Sequence, residues 1–304
     1  METALSLALA AAVLYGTSDF LGGLLSRRFH YGLVGLVGQA AAAVGGLTAA
    51  LSLRTAPGAS AVLWGMAAGL GGALGTLALY RGLAAGRMNV AGPLSAVGAA
   101  GLPIPVALLT GQRFTTLAVL GIALAVPGIW LVSRQPGARD SDARGSGARG
   151  SGRATEGVGE GLLAGVGFAA LFVCLGQAGD GAGLWPVAAS QLTGAVVLVT
   201  IVLCGTLRGQ RSGTRPGQRS GTRPGTWRRP PWTAIWPGVL GFSATLLYFL
   251  STRDGTMAIS AVITSLYPAF TIVLAGLVLR ERTSLAHGAG LVLCAASVGS
   301  FVVA

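Results

Sequence analysis

The run ALSLALAAAVLYGTSDFLGGLL, residues 4–25, decides the fold. A hydrocarbon core of about 30 Å takes about 20 mainly apolar residues at a rise of about 1.5 Å each, and this run meets that requirement with one interruption, the carboxylate of Asp19. Tyr15, Ser18, Asp19 and Gly22 fall at i, i+3, i+4 and i+7, so they share one helical face. A polar stripe of this kind faces other protein rather than lipid. An aspartate at the centre of a membrane helix costs about 2.5 to 3.5 kcal/mol on insertion scales, so Asp19 requires water, a partner or a proton. It reads either as a residue that exchanges a proton or holds a cationic cargo group, or as a carboxylate that orders helices in a polar vestibule.

Nine more stretches of similar length follow, at 32–53, 60–80, 88–110, 115–133, 157–179, 184–205, 233–252, 256–279 and 284–304. Of the 304 residues, 52% are hydrophobic and 10% charged, against about 25% charged in ordinary soluble domains, and the mean hydropathy is +0.70. The expected fold class is an all-α integral membrane protein of about ten transmembrane helices. The 50 glycines suit helices that approach backbone to backbone, as the spacings Gly65/Gly69, Gly71/Gly75 and Gly161/Gly165 indicate. Pro93, Pro103 and Pro105 mark the fourth span as bent; Pro127 and Pro268 lie in later spans.

A net charge of +12 would ordinarily raise nucleic acid as a partner. Position argues otherwise. Every basic residue is Arg, and most lie in two low-complexity segments, 134–156 and 206–232. The second contains Gly-Gln-Arg-Ser-Gly-Thr-Arg-Pro twice in succession, at 209–216 and 217–224. Such segments bury too little apolar surface to order themselves and read as disordered linkers, with anionic lipid headgroups as their partner. The loops after odd-numbered spans hold Arg27, Arg28, Arg81, Arg87, the two arginine-rich segments, Arg280 and Arg282; those after even-numbered spans hold Arg54, Arg113 and Arg253. This bias puts the odd loops in the cytoplasm and both termini outside.

Cys174, Cys204 and Cys294 sit singly in apolar spans and read as small core residues. His30 and His287 have no ligand spacing, so neither a metal nor another cofactor is expected. Glu2 and a long first span read as a retained helix rather than a cleaved signal.

The chain also repeats itself. An offset of 169 residues lays Gly86, Met88, Leu108, Arg113, Gly121 and Leu124 on Gly255, Met257, Leu277, Arg282, Gly290 and Leu293, and an offset of 152 lays Phe20 and Gln39 on Phe172 and Gln191. Residues 1–133 then form one five-helix repeat, 134–156 a linker, and 157–304 a second repeat interrupted by the segment 206–232. Five is odd, so the second repeat enters the membrane from the opposite side. Inverted repeats of this kind are the architecture of alternating-access carriers, whose cargo site lies near mid-membrane at the repeat interface.

The stretch Ser265-Leu266-Tyr267-Pro268-Ala269-Phe270-Thr271, followed by Arg280-Glu281-Arg282-Thr283-Ser284, resembles the "SLYPVFT... GERLS" end of the second domain in the drug/metabolite transporter superfamily, specifically ten-helix carriers with two EamA domains. Gly111-Gln112-Arg113-Phe114-Thr115 is a degraded copy in the first half, where Gly98-Ala99 replaces the Tyr-Pro pair. The resemblance covers nearly the whole chain. It implies a multi-pass plasma-membrane protein that moves small metabolites or amphipathic compounds through a central cavity, with membrane lipids and small-molecule cargo as partners and a monomer or homodimer as the assembly. It also implies cytoplasmic termini, opposite to the arginine bias.

Candidate cargo or coupling residues are Asp19, Tyr15, Ser18, Gln39, Tyr80, Asn89, Gln177, Gln191, Tyr248, Ser265, Tyr267 and Pro268, with Ser95 and Thr264 as further polar positions in spans. Each has a competing role in hydrogen bonding between helices. Enzyme readings find no chemistry: Gly176-Gln177-Ala178-Gly179-Asp180 misses the GxGD spacing of intramembrane aspartyl proteases, and Gly69-Leu70-Gly71-Gly72-Ala73-Leu74-Gly75 is a nucleotide fingerprint one step out of register, inside a span. The remaining alternative is a channel-like or non-transporting membrane protein that engages lipid or partner helices.

Overall fold

The computed structural model describes residues 2–26, 29, 31–84, 88–133, 150–179, 181, 183–211, 232–279 and 285–304. The first half comprises α1 (Glu2–Ser26), α2 (Tyr31–Ser52), α3 (Ala59–Ala84), α4 (Met88–Gly101), α5 (Pro103–Leu109) and α6 (Thr116–Ser133). The second comprises α7 (Gly150–Gly176), α8 (Trp185–Arg211), a short 3₁₀ turn at Trp232–Ala234, α9 (Ile235–Asp254), α10 (Met257–Thr264), α11 (Tyr267–Leu279) and α12 (Leu285–Val303). Among the described residues nine helical segments are long and apolar enough to cross a membrane, and Leu94–Leu109 is a shorter apolar one. This is an all-α membrane protein.

Helix α7 begins at Gly150 and α8 runs to Arg211, each reaching into a segment read from sequence as linker. Adding a residue to an existing helix needs no new nucleus, so apolar spans extend into polar flanks such as Arg153 and Glu156 of α7 and Arg208 and Arg211 of α8. The rest of those segments, 134–149 and 212–231, lies outside the described residues, as do Arg27, Arg28, His30 and the motif at 280–284.

The bend expected in the fourth span is a break between α4 and α5, where Pro103 follows Leu102 and supplies no amide hydrogen. The ninth span breaks as well. Ser265 and Leu266 separate α10 from α11, and the Leu266 and Ala269 amides turn to the Ile263 and Leu266 carbonyls at 3.0 and 2.9 Å. Pro268, without an amide hydrogen, follows directly. Of the three cysteines, Cys294 is buried, Cys174 is intermediate and Cys204 is exposed; the expectation of a core position therefore fails for Cys204, which lies near the end of α8 on its outer side.

The two halves pack through each other rather than side by side. Helix α3 lies against α7 and α8, and α9 lies against α1 and α2; exchanging the halves span for span turns each of these sets into the other. The closest crossings obey the same exchange. A Cβ on Gly69 would strike the Ser190 carbonyl, and one on Gly238 would strike the Gly38 carbonyl. The offset of 152 residues that pairs Gln39 with Gln191 also pairs Gly38 with Ser190, and the offset of 169 pairs Gly69 with Gly238. Likewise Gly16 on α1 meets the Tyr267 carbonyl of α11, while Gly165 on α7 meets Gly98 on α4. Lipid tails are as apolar as leucine, so helices in a bilayer associate through such close packing and through hydrogen bonds rather than through hydrophobic burial.

Gly238→Ala should therefore lower stability by about 1 to 3 kcal/mol, the range for overpacking a tight contact. Gly288→Ala, at a position where a Cβ meets nothing within 4 Å, should leave stability unchanged or raise it through helix propensity. Thermal or denaturant unfolding of the detergent-purified variants measures the difference.

Candidate functional site

Between the halves lies a cavity of about 130 Å³, walled by α1, α2, α3, α7, α8, α9 and Tyr267 of α11. From α1 it receives Tyr15, Ser18 and Asp19, the polar face read from the sequence; Gly22 completes that face but is buried outside the lining. The geometry explains how a carboxylate is accommodated here. Asp19 is half-buried at the edge of a polar space, and among the described residues it makes no ion pair or hydrogen bond. Tyr15 and Tyr267 border the same cavity.

The neighbours of Asp19 are fixed by bonds across the repeat interface. Ser18 Oγ donates to the Pro237 carbonyl at 2.8 Å, an acceptor in the first turn of α9. Thr245 Oγ1 donates its one proton to Gly241 O at 2.8 Å, so in the 2.7 Å contact between Tyr15 Oη and Thr245 Oγ1 the tyrosine is the donor. Thr271 Oγ1 bridges the Gly16 and Tyr267 carbonyls at 3.1 Å each, tying α11 to α1 beside the cavity. The rings of Tyr15 and Phe172 meet edge-on at 6.2 Å, and those of Tyr15 and Tyr267 are tilted at 6.5 Å.

Gln39 of α2 and Gln191 of α8, paired in sequence by the repeat, meet in space. Gln39 Nε2 donates to Gln191 Oε1 at 2.8 Å and to the Gln191 carbonyl at 3.1 Å. Both amide hydrogens of Gln39 are thereby engaged. Both side chains also line the cavity.

Other candidates lie elsewhere. Tyr248 is fully buried behind the wall, its Oη donating to the Phe172 carbonyl at 2.8 Å and its ring 4.6 Å from that of Phe172. Gln177 lies beyond the end of α7 and borders a shallow surface recess with Ala56, Gly58 and Ser60. Ser265 and Pro268 are buried at the break in the ninth span, outside the lining, where the Ser265 Oγ has no partner among the described residues. Ser95 is buried with its hydroxyl on the Gly92 carbonyl at 2.9 Å, and Thr264 is buried with its hydroxyl directed to the Ala8 carbonyl at 3.4 Å. Tyr80 and Asn89 belong to α3 and α4, but their side chains fall outside the described residues. Sequence reading passed over Thr76, Phe168, Ser190, Phe242 and Thr245, all of which line the cavity. For Thr245 a signal existed: it stands four residues after the glycine at 241, on the face of α9 that begins with Gly238.

The opposite end of the interface is closed. Trp185 Nε1 donates to the Thr55 carbonyl at 2.8 Å, joining the start of α8 to the α2–α3 loop. Gly183, with φ +58, packs directly on Thr55. Arg253 at the end of α9 donates to the Gly183 carbonyl at 2.8 Å and lies 4.7 Å from the Phe249 ring centre.

A helical membrane fold with a polar cavity between its two halves defines the class, an all-α membrane protein. A family model completes the assignment: residues 156–303 are an EamA-like transporter family domain, in agreement with the drug/metabolite transporter superfamily. The family matched by these residues consists of membrane transporters of small molecules rather than enzymes. A solved structure titled only "Crystal structure of protein" aligns with 100% of this chain and 97% of its own, with a TM-score of 0.72 at 15% identity, a likeness of fold. No curated protein matches the chain.

A double-mutant cycle with Gln39→Leu and Gln191→Leu should return a coupling energy of about 0.6 to 1.7 kcal/mol, the range measured for hydrogen bonds between membrane helices. Unfolding of the two single variants and the double variant in detergent provides the four values required.

Proposed function

We propose that the protein is a secondary carrier that moves a small metabolite or amphipathic compound across the plasma membrane by alternating access, with Asp19 exchanging a proton or holding a cationic group of the cargo as access changes. The observation that carries this reading is the uneven sealing of one interface. The cavity occupies the half of the interface toward the α1–α2 connection, whereas the half toward the N-terminus is held by the Trp185–Thr55 hydrogen bond and the packing of Gly183 on Thr55. Two halves related by exchange have a second arrangement in which these roles reverse. The arginine bias assigns the open side to the cytoplasm.

The cavity volume fits such a cycle. At about 130 Å³ it is smaller than the roughly 300 to 1,000 Å³ of ligand pockets that enclose drug-sized molecules, so this arrangement holds water or a small cargo, and larger cargo needs the walls to part.

Cross-linking tests the reading. An ideal Cβ on Gly183 lies 3.1 Å from the Thr55 Cβ, near the separation of about 3.5 to 4.5 Å in disulfides, and a non-glycine residue at this left-handed position costs about 1 to 2 kcal/mol. In proteoliposomes screened against amino acids, sugars and cationic drugs, the Thr55→Cys, Gly183→Cys protein should show saturable exchange of labelled cargo when reduced and none when oxidised. Undiminished flux through the oxidised protein contradicts alternating access; flux without saturation or counter-transport indicates a channel.

A further inference from the structure

We infer that the cargo is a small organic cation with an apolar or aromatic body, seated with its ammonium group against Asp19; this deepens the carrier reading and rests on it. The first ground is the charge of the cavity. Among the described lining residues Asp19 is the one charged side chain, and no Lys, Arg or His joins it. A single uncompensated carboxylate in a space of about 130 Å³ is matched by one positive charge. A carboxylate or phosphate on the cargo would meet no cation there, and burying an unpaired charge is costly.

The second ground is the aromatic wall. Tyr15, Phe168, Phe172, Phe242 and Tyr267 all border the cavity, and the Tyr15 ring stands 6.2 Å from Phe172 and 6.5 Å from Tyr267 at inclined angles. Rings around a desolvated cation attract it through their negative faces and equally well pack an aromatic body. The Tyr15 phenol proton is directed to Thr245, so the phenol oxygen retains acceptor capacity.

The third ground is the amide pair. Gln39 uses both amide hydrogens on Gln191, which leaves its Oε1 an acceptor without a protein donor among the described residues. Ammonium hydrogens fit such an acceptor. The Gln191 amide nitrogen likewise has no described protein acceptor, and it supplies neutral donors for a hydroxyl or carbonyl elsewhere on the cargo. Zwitterionic amino acids satisfy Asp19 with their ammonium but bring a carboxylate into the same anionic space, so they are disfavoured against the corresponding amines.

A charge-matched series tests this with the full-length, detergent-purified protein. Calorimetric titration with phenethylammonium, phenylalanine, 3-phenylpropionate and 2-phenylethanol varies charge around one aromatic body. The cation should bind at least about tenfold more tightly than each of the others, a difference within reach of a paired charge and cation–π contact in a desolvated site. Asp19→Asn should remove that preference, while Asp19→Glu, which retains the charge and checks that a folded variant can be made at this position, should keep it. Phenylalanine or phenylpropionate bound as well as the cation, no member bound, or an Asp19→Asn protein that still prefers the cation would each overturn the inference. Flux of the same compounds in proteoliposomes separates the two readings: selective cation binding without transport leaves the site assignment standing and contradicts the carrier, whereas transport of the zwitterion or anion alone supports the carrier and contradicts the cargo class.

Discussion

Backbone contact at two crossings, Gly38 with Gly238 and Gly69 with Ser190, sets the spacing of everything else in the molecule. In a bilayer no hydrophobic force draws one helix to another, and close van der Waals contact has to supply the attraction. Glycine permits it by removing the side chain from the contact. With α2 held on α9 and α3 held on α8, these crossings themselves border the cavity, and the polar residues of α1 face it instead of packing against a wall.

The cavity then resolves the cost of Asp19. A carboxylate facing lipid would be expelled or neutralised, whereas one bordering a polar space between protein walls keeps its capacity to meet a ligand. Its surroundings are rigid. Ser18, Tyr15 and Thr271 are each tied across the repeat interface by a hydrogen bond, so Asp19 is the uncommitted polar group on an otherwise fixed α1 face. Polar pairs that cross the repeat interface, Gln39 with Gln191 and Trp185 with Thr55, hold the halves in one relative orientation.

Much of the fold was legible in the sequence because bilayer thickness imposes a length and hydropathy that single residues cannot disguise. Gln39 and Gln191, paired by the sequence offset, also meet in space, as residues near the axis of an inverted repeat would. The face of α1 was legible from helical spacing. The break at Ser265 and Leu266 was hidden, since Pro268 signals a disturbance without fixing on which side the helix gives way. Tyr248 and Gln177 read as candidates because a polar residue in a span has two possible neighbours, protein or cavity, and periodicity does not choose between them. Tyr248 points to the Phe172 carbonyl, an acceptor that one-dimensional spacing does not reveal. The closure through Trp185 and Thr55 was invisible for the same reason: it joins positions 130 residues apart.

In the proposed carrier cycle the two ends of one interface open in opposition. Spin labels at Ala56 and Gln177, both bordering the recess at the closed end, report that end; labels at Phe29, between α1 and α2, and at Cys204, exposed near the end of α8, report the other. Pulsed electron–electron distance distributions in lipid should contain two populations, one with the first pair close and the second apart, the other reversed, and cargo should change their ratio. A single fixed distance for both pairs, or two distances that lengthen together, would contradict the account.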